Sequence, residues 1–156
     1  MSFHKPLVEL AVEGLTIRLA LDNWYNNFKK LSAESETLDL ESILATIYFH
    51  GISIYLSGIF DYHSQFNDIV TPAIPRPVIQ NHVDMILANT TVAMETTNLS
   101  PVLFFFPLRV AGARVISIQE TKAILELLQQ ISKGSFPVAD AFTENLKSLW
   151  QWKQIS

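Results

Sequence analysis

The sequence contains no cysteine, and this absence excludes several kinds of chemistry. A chain without thiols has no disulfide framework, no thiol nucleophile and no cysteine-ligated metal centre. His-x-x-x-His and Glu-x-x-His pairs are missing too, so the sequence predicts no helix-borne metal site. Gly-rich phosphate loops and nucleophile elbows are also absent. We therefore expect neither a metal nor a cofactor.

Charged residues are scarce, and the basic ones form no patch. They make up 17% of the 156 residues, with 11 basic and 15 acidic side chains and a net charge of −4. Proteins that bind nucleic acids use a basic stripe to neutralise phosphates, and here the basic residues are scattered. We expect no nucleic-acid binding by this chain alone. The 49% hydrophobic content predicts a large core, or apolar surface kept for a partner or ligand.

We expect no secretory leader, since no basic segment followed by an apolar one opens the sequence. The glycosylation triplet at 89–91 is therefore treated as chance. Together with the lack of cysteine, this favours a reducing compartment. We expect an intracellular protein, cytoplasmic or nuclear.

One apolar stretch, residues 43–60, reaches the lower length limit of a membrane span. Polar residues recur along it every three or four positions, which places them on one face of a helix. These are Asp39, Ser42, Thr46, His50, Ser53, Ser57 and Asp61. Such a stripe is typical of the central helix of a soluble bundle, so we expect no membrane association.

Apolar periodicity predicts one all-α domain over residues 1–156, a bundle of about six helices around a long central one. The first four are expected at 6–31, 38–64, 78–97 and 101–114, the fifth between a capping box at 117–120 and Gly134, and the sixth after Ser135 and Pro137. The first helix has two apolar stripes, so we expect neighbours on both of its sides. Three finer features are predicted: an N-cap at Ser100, a kink near Pro107 and a left-handed cap at Gly134.

Three segments resemble the C-terminal part of the fungal-specific transcription factor domain, the helical region that follows a zinc-cluster module in many regulators. The segments are IYLSGIFDY at 54–62, SPVLFFFPLRVAGAR at 100–114, and ILELL at 124–128 with IS at 131–132, VADAF at 138–142 and LW at 149–150. The likeness covers about 43–150. It implies an all-α fold and a regulatory or ligand-sensing ancestry. The cysteine cluster of the zinc module is not in this sequence, so DNA binding is not implied.

The polar stripe and its surroundings supply the candidate site residues. His50 is the first candidate for an acid or base, against the alternative of a core or solvent-facing histidine. The catalytic candidates, if the chain is an enzyme, are His50, Asp61, Tyr62 and Arg109. The ligand-binding candidates are Thr46, Ser53, Ser57, Tyr55 and Phe105.

Two further observations concern side chains that need partners. His82 lies on the apolar side of its helix, and no partner is predicted for it from spacing. Arg109 and Arg114 are costly to bury unpaired. Each is expected to pair with a carboxylate such as Asp61, Asp84 or Asp140, or to bind an anionic or carbonyl-bearing ligand through its planar fork.

Two hypotheses of function follow. The first is a stand-alone relative of the fungal regulator domain that binds a small apolar molecule or a protein partner, a homodimer included. The alternative is a cofactor-independent enzyme of fungal secondary metabolism, a cyclase, isomerase or dehydratase, recruited from that scaffold. An enclosed cavity touching both His50 and Arg109 would favour ligand binding or catalysis, and a flat apolar patch would favour partner binding. The sequence leaves open whether the chain is catalytic.

Overall fold

A computed structural model describes residues 4–34, 39–134 and 137–155, and these described residues form six α-helices and no strand. The helices are α1 (His4–Ala33), α2 (Leu40–Asp61), α3 (Arg76–Thr96), α4 (Phe105–Gly112), α5 (Ile118–Lys133) and α6 (Val138–Trp152). Single-turn 3₁₀ helices precede α3 (Ser64–Phe66) and α4 (Pro101–Phe104). The predicted all-α class is confirmed. Ser135, expected to open the sixth helix, lies outside the described residues.

Helix α2 is central, as predicted, because it packs against α1, α3 and α4. Its long side chains supply the core, with Ile47 and Ile54 almost fully buried. By length and composition α2 is also the one helix of the described chain that could cross a membrane, and 56% of its apolar window is buried in the fold. That burial is typical of a core helix.

The first helix differs from the prediction, because only one of its sides is covered. It docks on α2 through Ala11 and Gly14, and the side chain of Leu7 packs beside them. Apolar side chains of both predicted stripes remain at the surface, as the exposed fractions of Ile17 (53%) and Leu19 (63%) illustrate. An apolar stripe shows that a helix can pack against a neighbour, but in the described chain no neighbour covers these side chains.

The segment in which a kink near Pro107 is predicted changes helix type just before that residue. It runs as a 3₁₀ turn to Phe104 and becomes α-helical at Phe105, while Ser100 makes no side-chain cap. Pro107 lacks the N–H that would reach the carbonyl of Leu103 one turn earlier. The hydroxyl of Tyr48 donates to that carbonyl instead, at 2.7 Å. A side chain of α2 thus satisfies the acceptor that the proline leaves open.

Side-chain caps fix the starts of two helices, α2 and α5. Asp39 accepts from the amide of Ser42 at the start of α2. At α5, Ser117 Oγ accepts from the amide of Glu120 at 3.2 Å and donates to Glu120 Oε1 at 2.9 Å, so the capping box forms with the hydroxyl as the second donor. Gly134 ends α5 with φ −79°, so the predicted left-handed cap is wrong.

Helix α3 begins at Arg76, two residues earlier than predicted, with Pro77 in its first turn. A proline is tolerated there because the first amides of a helix have no acceptor within it. The early start has a consequence for the surface. It brings Arg76 next to the end of α2, where the larger groove of the molecule lies.

Candidate functional site

The polar stripe of α2 is turned into the protein, and most of its members bond locally. Thr46 donates to the carbonyl of Ser42 at 2.8 Å. Ser57 accepts from the amide of Ile74 at 3.0 Å and donates to Asp61 at 3.0 Å. These bonds tie the loop after α2 to the helix. The middle of the stripe differs, because His50 there is buried and bonds to a side chain of another helix.

His50 and His82 form a buried pair between α2 and α3. Their Nδ1 atoms lie 2.7 Å apart, and the two side chains are only 3% and 9% exposed. One Nδ1 must therefore donate and the other accept, so the accepting ring is neutral with its proton on Nε2, and the donating ring carries a proton on Nδ1. The prediction that His82 has no partner is wrong, because its partner lies 32 residues away in sequence.

Burial also decides the charge of this pair. It lowers the pKa of His50 from 6.5 to about 4, with smaller contributions from His82 and Lys29. The pKa of His82 also falls to about 4, first through burial and then through the positive charge of Arg18. Neutral rings at physiological pH agree with the hydrogen bond between them.

Arg18 of α1 brings a cation close to the histidine pair. Its Nη2 donates to the carbonyl of Ser53 at 2.8 Å and to that of Pro72 at 3.1 Å. Burial lowers its pKa, and Asp22 partly offsets this. His50 Nε2 and Ser53 Oγ are buried without a hydrogen-bond partner in the described chain. Two neighbouring orphan atoms of this kind are typical of a site for a structural water.

The larger groove, of about 900 Å³, lies where the end of α2, the start of α3 and the segment after α6 meet. Apolar side chains form its floor, and three cationic ones reach it from different parts of the chain. The apolar residues are Ile74, Ile79, Val115, Ile116, Ile118 and Ile155, and the cationic ones are Arg76, Arg114 and Lys153. We call it the cationic groove.

The segment after α6 folds back to complete this floor. Gln154 has φ 62°, a left-handed conformation that glycine adopts more easily. The amides of Gln154 and Ile155 donate to the carbonyls of Gln151 and Trp150, at 3.0 and 2.9 Å. This Schellman-type cap places Ile155 against the core. The strain is therefore located at the wall of the groove.

One carboxylate faces the cations of the groove. Arg114 Nη2 contacts both oxygens of Asp61, at 2.9 and 2.7 Å, which confirms the predicted pairing of Arg114. Lys153 donates to the carbonyl of Ala113. Burial, and then the nearby positive charges of Arg114 and Arg76 together with Arg109, lower the pKa of Lys153. The lining thus has an excess of positive charge in an acidic chain.

A second, smaller groove of about 440 Å³ lies between α2 and α4. Its lining includes Tyr55, Phe106 and Arg109, and it shares Tyr62 and Arg114 with the cationic groove. The guanidinium of Arg114 stacks over the ring of Tyr62 at 4.4 Å, so this pair forms a wall common to both grooves. Within the described chain Arg109 has no ion-pair partner.

The candidate residues from the sequence thus fall into separate places. Asp61 and Tyr62 line the cationic groove, and Tyr62 also joins Tyr55 and Arg109 in the second one. The remaining five candidates line neither groove: His50, Thr46, Ser53, Ser57 and Phe105. Phe105 is buried and stacks on Phe142, with ring centroids 4.9 Å apart. The candidates do not form one site.

Sequence reasoning missed the basic residues that make the groove. Arg76 and Lys153 were not singled out, because each is an isolated cation in its own segment. Arg18 was missed for the same reason, although an arginine inside a largely apolar helix is a detectable signal. Among the described residues, no group of three or more histidine, aspartate or glutamate side chains is placed to hold a metal ion.

No family model, curated protein or solved structure matches this chain significantly. The resemblance of three segments to the fungal regulator domain therefore stays a prediction from the sequence.

Proposed function

We propose that this chain is a ligand-binding domain whose cationic groove takes a small amphipathic anion, an apolar molecule carrying a carboxylate or a similar group. The convergence of Arg76, Arg114 and Lys153 above an apolar floor carries this proposal. The sequence predicted a small apolar ligand, and the cations of the groove restrict this proposal to a ligand that also carries a negative charge. The regulatory ancestry implied by the resemblance fits such a role and remains part of the proposal.

The electrostatic argument starts from the charge balance. The chain has a net charge of −4, yet three cations line the groove with Asp61 as the one acidic residue of its lining. The N-terminus of α3 opens beside them without a side-chain cap, and the positive end of the helix dipole adds to their potential. Burial first, and then the same crowding of positive charge, lower the pKa of Lys153. An anion entering the groove would relieve that repulsion.

The shape of the groove favours a small molecule as the ligand. About 900 Å³ lies at the upper end of the volumes of sites for drug-sized ligands. The apolar side chains below the cations, Ile79 and Val115 among them, would cover the body of the ligand. Arg114 binds Asp61 through a single nitrogen, Nη2. No hydrogen bond to a described residue engages its other two nitrogens, so they can donate to an anion.

The experiment compares two probes of nearly equal shape, 1-naphthylacetate and the neutral 1-naphthylacetamide, by isothermal titration calorimetry. We expect the carboxylate to bind at least about tenfold more tightly, because a charge-assisted hydrogen bond contributes about 1.5–3 kcal/mol. Replacing Arg76→Gln together with Lys153→Gln should lower the affinity for the carboxylate several-fold and leave that for the amide unchanged, with Arg114 supplying the remaining preference.

The matched control is Lys133→Gln, which removes an exposed lysine that does not line the groove. It should leave both affinities unchanged. Equal binding of the two probes to the unmodified protein would contradict the proposal. So would an unchanged affinity of the Arg76→Gln/Lys153→Gln variant for the carboxylate, once circular dichroism shows that the variant is folded.

The enzyme alternative gains no comparable support. It depends on a cavity that touches both His50 and Arg109, and neither of the two grooves reaches His50. A neutral histidine that already shares its Nδ1 with His82 is also poorly placed to exchange protons with a ligand in either groove.

A further inference from the structure

A row of four apolar side chains on α1 is spaced by seven residues and left uncovered in the monomer. The row consists of Leu10 (44% exposed), Ile17 (53%), Trp24 (46%) and Leu31 (68%). Three residues before each member lie Leu7, Gly14, Leu21 and Phe28, which complete a heptad pattern over four repeats. Those alternate positions are buried or half-buried. The helix therefore has a coiled-coil seam of which one half is used within the monomer.

The geometry points to a second copy of this chain as the partner: we propose that two α1 helices pack antiparallel through this row. The row is symmetric about the peptide between Ala20 and Leu21. A two-fold axis there sets Leu10 against Leu31 of the other copy, and Ile17 against Trp24. Each large side chain meets a different one, and the small Ala20 lies at the point of closest approach.

The charges on α1 favour the antiparallel orientation. Glu9 and Glu13 lie on the flank of the row away from α2, and Lys30 lies on the same flank near the other end of the helix. The two-fold axis would place Lys30 of each copy between Glu9 and Glu13 of the other. A parallel pair related by a two-fold axis would instead put these flanks on opposite sides of the seam, so Lys30 of one copy would not meet Glu9 or Glu13 of the other.

One side chain of the row, Trp24, is already held in place in the monomer. Trp24 stacks on Phe28 with ring centroids 5.2 Å apart and an angle of 14° between the rings. Phe28 is half-buried, so this stacking holds the exposed indole against the body of the protein. The entropy cost of fixing a large aromatic side chain on association is correspondingly smaller. The row spans about 32 Å along the helix, since each residue rises by 1.5 Å.

Sedimentation equilibrium tests the association. The unmodified protein should form a species of about 35 kDa, twice the 17.6 kDa of one chain. Ile17→Glu should weaken the association at least about tenfold, because it places a charge at the centre of the seam. The matched control is Leu19→Glu. Leu19 is equally apolar and 63% exposed on the same helix but lies outside the row, so this variant should associate normally.

Cysteine cross-linking tests the orientation. Because the sequence has no native cysteine, only the introduced thiols can form a disulfide. A mixture of Leu10→Cys and Leu31→Cys proteins should form the mixed disulfide on mild oxidation. Neither variant alone should form one readily, because its two thiols would lie at opposite ends of the pair. Dominant same-site disulfides in either variant alone would indicate a parallel pair and overturn the proposal.

Two further outcomes would also overturn it. One is a monomer at about 300 µM, where a dimer with a Kd of about 100 µM would be mostly assembled. The other is a dimer that Leu19→Glu dissociates and Ile17→Glu leaves intact, which would assign the interface to the other stripe of α1. The inference does not depend on the ligand of the cationic groove.

Discussion

The imidazoles of His50 and His82 share a hydrogen bond of 2.7 Å between their Nδ1 atoms, at the contact of α2 with α3. Around them lie the aromatic rings of Tyr25 and Phe49, and Arg18 and Lys29 contribute positive charge. Protonating the accepting ring would remove the acceptor of the shared bond, and protonating either ring would place a buried cation near Arg18 and Lys29. The pair is therefore most favourable to the fold while both rings are neutral.

We expect the protein to lose stability in mild acid because of this pair. Both folded-state pKa values, about 4, lie below the ordinary 6.5, so the unfolded chain binds protons first as the pH falls. The stabilisation is complete above about pH 6.5 and declines towards pH 4, by up to about 3 kcal/mol for each histidine. Urea unfolding at a series of pH values measures this loss.

The double variant His50→Leu/His82→Leu should flatten that part of the pH profile. His63→Gln is the control, since His63 is exposed and should leave the profile unchanged. If the double variant lost as much stability between pH 7 and pH 4.5 as the unmodified protein, the pair would not be the cause.

The bond from Tyr48 to the carbonyl of Leu103 should be important because Pro107 cannot supply its own amide. Tyr48→Phe is expected to lower the free energy of unfolding by about 1–2 kcal/mol, since it leaves a half-buried carbonyl without its donor. In a Pro107→Ala background an amide replaces the hydroxyl as donor, and the same change should cost less than half as much. Chemical denaturation of the four proteins measures the coupling.

Tyr55→Phe is the matched control for that cycle. Tyr55 is 57% exposed, and no hydrogen bond to a described residue engages its hydroxyl, so the change should be nearly neutral. Equal costs of Tyr48→Phe with and without Pro107 would show that the proline and the tyrosine act independently.

Two glycines should respond in opposite ways to alanine. A Cβ at Gly14 would lie 2.7 Å from ring carbons of Phe60 and 2.8 Å from Pro72 Cγ. Both neighbours are buried and stiff, so we expect overpacking to exceed the helix-propensity gain of about 1 kcal/mol, for a net loss of about 1–2 kcal/mol. Thermal and urea unfolding measure the change.

Gly134→Ala should be neutral or stabilising by up to about 1 kcal/mol. Its φ of −79° suits any residue, and a Cβ there would make only ordinary contacts. A clear loss of stability in Gly134→Ala would instead indicate that Gly134 has the left-handed conformation predicted from the sequence. A gain at Gly14 would mean that α1 can shift on α2 without cost.

The fold was largely predictable because its signals are local. The capping box at Ser117 and Glu120 depends on atoms three residues apart, and the structure contains it. The break before Pro101 is local as well. The structure differs from the prediction where a local signal is compatible with more than one conformation. Gly134 ends its helix without a positive φ, and Pro107 sits in the first turn of α4.

The candidate site was less predictable, because its members come from distant segments. Arg76, Arg114 and Lys153 meet only after four elements have packed. Spacing could not place the three together, and Arg76 and Lys153 were missed because each is isolated in the sequence. For the same reason, the polar stripe of α2 was found from the sequence, while the partner of His50 was not.

The amino-acid sequence by itself determined an all-α chain, the order of its helices and the apolar character of both sides of α1. Those properties follow from hydrogen bonds and side-chain periodicity within a few turns of chain. Only the tertiary structure decided that His50 meets His82, that three cations share a groove, and that the row from Leu10 to Leu31 stays uncovered. These outcomes depend on how the helices pack across one another, and no single segment encodes that.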